Sequence, residues 1–395
     1  MSIDLYRTAL LGSVLALALS ASGAQAGGFT VVHSFVGGSN DGAGPLGGVA
    51  PAGGGSLYVA TDGGGSSSKG TLALIRKDGT SQVLHSFTGG SDGQNADGAP
   101  VKWPLDGNLY GTTQFGGASG CGTIYKYTPG SGAYQQIYAA GCAPASAFPF
   151  AGLSEVNYNG DDFLLGTGYN GGVNDDGALF FVTSGSAGSS CTSSFSSTSG
   201  SNPFAGIIQP TKNALYDYTV TTAGGSHNLG ALVSISNTDC TATVLHNFAG
   251  GNDGAAPYGT LLYYKNALYG TTSAGGGPGL GTVFKVNPDG SNYTVLHAFQ
   301  GIFQNSDGSF PHSGLTLNKT DGMLYGTTIN GGNSNDLGTV FKINPRSGTE
   351  TVVHAFSGSD GAHPYGNLYV KKGAIYGTTV AGGASNLGVV FKLKS

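Results

Sequence analysis

The sequence predicts an all-β fold: a seven-bladed β-propeller with four antiparallel strands per blade, its N-terminal strand closing the last blade. Three observations carry this. A Leu-Tyr-Gly-Thr-Thr phrase recurs seven times in intact or altered form, each repeat holds four short extended segments separated by turn residues, and the strand missing from the last repeat stands ahead of the first. Composition agrees, with 73 glycines in 395 residues, 9% charged, 39% hydrophobic and 10% aromatic. So low a charge excludes charge-driven disorder, and no strict Gly-X-Y period exists for a collagen helix.

The first 26 residues read as a signal peptide. Arg7 precedes an apolar run from Ala9 to Leu19, and small residues end at Ala24-Gln25-Ala26. That run is shorter than the roughly 20 residues a bilayer span needs. Export to the periplasm or medium is therefore expected, with residues 27–395 as a single propeller domain and no membrane span after cleavage. A net charge of -5 leaves no basic footprint for nucleic acid.

Export makes disulfides the expected state of Cys121, Cys142, Cys191 and Cys240. Cys121 opens one predicted strand and Cys142 follows the next, at similar distances from the turn Gly130-Ser131-Gly132, so a hairpin sets them opposite each other. Cys191 with Cys240 follows by elimination. Without a CxxC pair, the zinc reading is weak.

The repeated phrase is intact at 109–113, 268–272 and 324–328, reads Ile-Tyr-Gly-Thr-Thr at 375–379, and is altered in copies starting at Leu57, Leu164 and Leu215. Successive starts lie 52, 55, 51, 53, 56 and 51 residues apart. Such a period marks a repeat architecture. In the fifth unit the strands are expected at 258–263, 267–272, 282–286 and 294–299, rich in Tyr, Val, Phe and Thr and parted by Gly, Asn, Pro and Asp. The seventh unit stops at its third strand, Val389 to Leu393, and Val31-Val32-His33-Ser34-Phe35 supplies the missing fourth. Ring closure of this kind removes an open sheet edge.

The phrases Phe-x-Gly-Gly-x-Asp-Gly-x-x-Pro, Leu-Tyr-Gly-Thr-Thr-x-x-Gly-Gly and Gly-Thr-Val-Phe-Lys resemble the GloVer-type tandem repeats of exported bacterial proteins over residues 29–394, most closely from 244 onward. The resemblance implies a secreted, unanchored repeat domain and brings no catalytic residues with it.

In such a blade, the loop leaving the outer strand and the loop between the second and third strands emerge on one face. The rim carboxylates are Asp41, Asp92, Asp97, Asp253, Asp307 and Asp360. Asp before Gly caps a turn through its own backbone; calcium on Asp41, Asp92, Asp253, Asp307 and Asp360 is the sharper alternative, and otherwise no cofactor is expected. His33, His85, His246, His297 and His354 stand two residues before Phe in the outer strand and read as packing residues on the side of Phe and the preceding Val. His227, His312 and His363 fall in rim loops. If the protein is an enzyme, His312 and His363 with Asp307 and Asp360 are its acid-base candidates, or paired carboxylates serve glycoside hydrolysis. Phe115, Tyr258, Phe310 and Tyr365, with His227, are candidate binding residues for sugar rings. Gly89-Gly90-Ser91-Asp92-Gly93 matches a nucleophile motif but precedes no helix. Seven near-equivalent loops without a unique catalytic constellation point to a secreted, non-catalytic binding or structural module for a glycan or cell-envelope partner. A polysaccharide lyase or glycoside hydrolase using the same face is the alternative.

Overall fold

A computed structural model describes residues 28–142, 147–183, 187–190, 195–303 and 307–394. The expected signal peptide and Cys191 lie outside them. Seven sheets follow one another along the chain, six of four strands and one of three, and a small ribbon pairs Gly42–Ala43 with Gly63–Gly64. Blade 5 runs Leu262–Tyr264, Ala267–Thr272, Thr282–Val286 and Thr294–Ala298, each antiparallel to the next. Its second and third strands fall where the sequence puts them. The first begins at Leu262 rather than Tyr258, because residues 258–260 face the ring axis and the next blade instead of pairing: a Cβ on Gly259 would come within 2.4 Å of the Ser313 carbonyl oxygen.

The ring closes as expected. Blade 7 is Tyr369–Lys371, Ala374–Thr379 and Val389–Lys394, and its outer strand is the N-terminal Phe29–Ser34, with Phe29 opposite Leu393 and Thr30 opposite Lys392. Among the described residues, no helix is long and apolar enough to cross a membrane.

Each letter of the repeated phrase has a packing duty. Tyr110, Tyr269 and Tyr325 sit in cores shared with the following blade. The glycine makes room for a ring on the third strand: a Cβ on Gly270 would lie 2.4 Å from the Phe284 ring, and Gly326 and Gly377 face Phe341 and Phe391 in the same way. Where blade 1 has Val59 and blade 4 has Thr219 at this place, the facing residues shrink to Ala73 and Val233. The first threonine reaches across to the next blade, as Thr112 donates to the Ala151 carbonyl, Thr271 to that of Ser313 and Thr378 to that of Gly47. The second donates to the loop two residues on, as Thr113 does to Phe115 and Thr272 to Ala274.

This grammar corrects the fourth copy. Thr221 donates to Ala223 in the manner of Thr113, so the copy starts at Asp217 and not at Leu215. Tyr218, 6% exposed, is the packing tyrosine, whereas Tyr216 is 47% exposed. Asp217 then occupies a core leucine position, where burial pushes its pKa up to about 6 against the hydrogen bond from Tyr158 of blade 3. Blade 4 also lacks a full inner strand, which shrinks to a bridge between Ile208 and Tyr218.

The outer strands carry a further surprise. Opposite the third strand of blade 1, Ala73 pairs with Val83 but Leu72 pairs with His85, leaving Leu84 as an extra residue. The same bulge recurs in blades 4, 5, 6 and 7. Because a bulge resets the alternation of faces, the histidine shares a side with the following Phe and not with the preceding Val.

The expected Cys121–Cys142 disulfide is present, with its Cα atoms 5.4 Å apart. Cys240 is disulfide-bonded too; its expected partner Cys191 lies outside the described residues.

Replacing Gly270 by Val overpacks the Phe284 ring and is expected to cost about 1–3 kcal/mol. Adding Phe284→Ala recreates the Val59 and Ala73 pairing of blade 1, so the double variant should be less destabilised than the sum of the two single ones in urea unfolding. Strictly additive energies would show that the glycine does not serve the ring.

Candidate functional site

The loop leaving each outer strand and the loop after the second strand lie together. Bridges join Gln94 to Phe115, Ala255 to Ala274, Ser309 to Asn330 and Ala362 to Ala381. They form one rim, as the strand order requires.

On that rim the aspartates are taken up by the bulged histidines. Nε2 of His33, His85, His246, His297 and His354 lies 2.9 to 3.1 Å from a carboxylate oxygen of Asp41, Asp92, Asp253, Asp307 and Asp360 respectively. Each carboxylate also accepts a backbone N–H from the loop, from Val36, Thr88, Ala249, Gln300 and Ser357. The pair thus staples a strand end to its own loop. Burial opposes charge on His33 and His85; at His33 the Asp41 carboxylate outweighs it and raises the pKa, while at His85 burial prevails and lowers it. Calcium on these five aspartates would have to displace a histidine and an amide at each.

Three of these staples are covered by a ring at the start of the next blade's outer strand. Tyr134 and Tyr293 stack on His85 and His246 with centroids 3.7 Å apart, and their hydroxyls donate to the Asp92 and Asp253 carbonyls. Phe29 stacks likewise on His354. Blade 6 differs: at this place it has Glu350, whose carboxylate lies with His297 and Asp307 so that their ligand-type atoms fall within 4.8 Å of one another. Glu350 Oε1 is buried without a hydrogen-bond partner. Burial, with the Asp307 carboxylate beside it, pushes its pKa up to about 8.

A second set of residues gathers at the axis. In five consecutive blades a rim proline is followed by a ring: Pro149-Phe150, Pro203-Phe204, Pro257-Tyr258, Pro311-His312 and Pro364-Tyr365; blade 1 has Pro45-Leu46, and blade 2 has Ala96-Asp97. The prolines seat on the preceding blade, where a Cβ on Gly281 would lie 2.6 Å from Pro311 and one on Gly230 2.7 Å from Pro257. The residue after each is thereby turned inward. All seven line one cavity of about 540 Å³, a size usual for small-molecule sites.

Rings dominate its wall. Tyr258 stacks on His312 with centroids 4.2 Å apart, His312 leans on Tyr365 at 4.8 Å, and Phe204 touches Tyr258 at 5.1 Å. Phe150 stacks on Phe204 at 4.7 Å, and Tyr169 meets Phe150 edge-on at 5.5 Å. Asn202, Thr222 and Asn367 add polar groups. His312 Nδ1 is buried with no hydrogen-bond partner. Burial pushes the His312 pKa down to about 3, so the ring is neutral at physiological pH.

Of the residues singled out from sequence, Tyr258, His312 and Tyr365 converge here, joined by Asp97 of the rim carboxylates. The other candidates lie apart from this cavity. His363 has φ +54 and places Nδ1 3.0 Å from the Ile329 carbonyl oxygen. Phe115 packs edge-on against Phe148, His227 is exposed beside Ser226, and Phe310 is 38% exposed on the rim. Asp307 and Asp360 do not meet His312 and His363; among the described residues they are bonded to His297 and His354. Phe150, Phe204, Tyr169 and Asp97 complete the wall without having been recognised as binding residues from the sequence. A proline followed by a ring in five successive units was the signal that marked two of them.

Seven near-equivalent blades around a ring-lined axial cavity define a repeat β-propeller. Residues 19–219 and 216–395 match the Gloeobacter/Verrucomicrobia repeat, and the chain belongs to that family. Among curated protein sequences none matches. Among solved structures, the tricorn protease is similar at 11% identity over 85% of this chain and 27% of that one, with a TM-score of 0.43. The extracellular domain of a protein described as a one-component system from B. thetaiotaomicron is similar at 13% identity over 92% and 40%, with a TM-score of 0.57. An oligogalacturonate lyase from Vibrio parahaemolyticus is similar at 10% identity over 93% of both chains, with a TM-score of 0.54. The chain spans well under half the length of the first two. At such identities the latter two likenesses establish the fold alone.

Glu350 yields a pH prediction. Its contribution to stability is full below about pH 4.5, its ordinary value, and is lost as pH rises to about 8. Glu350→Gln should therefore unfold near the wild-type urea midpoint at pH 5 and at a higher midpoint at pH 9. An offset that is the same at both pH values would mean that Glu350 titrates as a solvated carboxylate.

Proposed function

We propose that the protein is an exported, non-catalytic binding module that holds a glycan in its axial cavity. The observation that carries this is the set of rings placed by the proline-ring dipeptides of blades 3 to 7, which turn Phe150, Phe204, Tyr258, His312 and Tyr365 onto one wall. Aromatic faces stack on the apolar faces of sugar rings, while Asn, Thr and Tyr groups at the margin suit their hydroxyls. The disulfide is in keeping with an oxidising compartment. Acid-base chemistry finds less support. The rim carboxylates are held by histidines and amides, and His312 has no carboxylate bonded to its buried Nδ1.

Calorimetric titration with a panel of oligosaccharides tests the reading. Binding is expected, with Tyr258→Ala and Tyr365→Ala each weakening it tenfold or more, about 1.4 kcal/mol, at unchanged melting temperature. No reducing ends or unsaturated sugars should appear. Turnover that His312→Ala abolishes would replace this reading with a carbohydrate-active enzyme.

A further inference from the structure

The lining of the axial cavity is one-sided in charge. It contains no lysine and no arginine among the described residues, and its one carboxylate is Asp97, at the blade-2 position that carries a ring in blades 3 to 7. Asp97 is 7% exposed. An anion entering such a space loses its hydration and meets no lysine or arginine of the lining in return. His312 offers no remedy, since burial keeps its imidazole neutral across the physiological range. A cation is poorly served as well. Phe204, Tyr258, His312 and Tyr365 pack on one another with centroids 4.2 to 6.3 Å apart, so they form one continuous surface rather than a box open on several faces.

Resting on the glycan reading above, we infer that the cavity selects uncharged sugars and excludes uronate-bearing ones. His312 Nδ1, buried and unpartnered, is a polar atom that a ligand hydroxyl would satisfy. The charge of the lining sets the class of glycan, and the ring surface sets its placement.

The test is calorimetry of the purified protein with three probes at low salt: neutral cello- and manno-oligosaccharides, anionic oligogalacturonate, and cationic chitosan oligomers. The neutral set is expected to bind at least tenfold more tightly than oligogalacturonate. Leu46→Lys places a cation at the blade-1 position of the same wall and should raise oligogalacturonate affinity at least tenfold. Oligogalacturonate binding as tightly as the neutral set, or chitosan oligomers binding more tightly, would overturn the charge selection while leaving a glycan site in place. Absence of binding by all three would overturn the glycan reading itself.

Discussion

Seven backbones have to meet around one axis, and the space for them is set by hydrogen atoms. Each blade brings a glycine to this point, and in every blade but the fourth the neighbouring backbone leaves no room for a side chain: a Cβ on Gly314 would lie 2.2 Å from the Thr260 carbonyl oxygen, and one on Gly366 2.5 Å from the Gly47 carbonyl carbon. The second of these contacts joins blade 7 to blade 1, so the same crowding that packs neighbours also completes the ring. With the glycines fixed, the residue one or two places earlier is the first with a side chain larger than that of Ala or Ser, and it lines the cavity. The axial site is therefore a geometric consequence of closure, and its chemistry depends on what each blade puts in that one position.

Away from the axis, cohesion passes from blade to blade through small directed contacts. In blades 2, 3, 5 and 7 an inner threonine donates to a carbonyl of the following blade. At the outer edge, a histidine and an aspartate lock a loop while the next blade lays a ring over them. This second device needs the β-bulge, which turns the histidine toward the neighbour. Where the loop between blades 2 and 3 has no Asp-Gly, the Cys121–Cys142 bond ties the outer strand's end to the inner loop instead. Glu350 is a carboxylate set where blades 2, 5 and 7 have a ring.

The legibility of the fold follows from where residue identity is doubly constrained. The second and third strands face cores on both sides, so Leu-Tyr-Gly-Thr-Thr and Thr-Val-Phe-Lys mark them to the residue. The inner strand is short and is preceded by axial backbone, so nothing in its composition separates Tyr258 from Leu262. In blade 4, spacing alone placed the copy two residues early, because Tyr216 and Tyr218 both fit the pattern and only the hydrogen bond of Thr221 tells them apart. The histidine staple was hidden for another reason. A regular strand puts His85 on the face of Val83, and no local residue announces the extra Leu84 that reverses it. The site was half visible: Tyr258 and Tyr365 stood out as rim aromatics and His312 as a rim-loop histidine, but Phe150 and Phe204 sit in units whose other markers had faded.

Those faded units bear most directly on where function resides. Blades 3 and 4 are led by loops without Asp-Gly, and blade 4 has lost most of its inner strand. Blade 4 also carries Asp217 at a position meant for leucine. Both nevertheless retain the proline, the ring and the glycine at the axis, as Pro149-Phe150-Ala151-Gly152 and Pro203-Phe204-Ala205-Gly206. Closure accounts for Gly152, and packing on the preceding blade accounts for both prolines. Neither requires a ring between them, since blade 1 closes with Leu46 and blade 2 with Asp97. An aromatic wall present in blades that lack the scaffold's other markers is what the proposed axial ligand would account for.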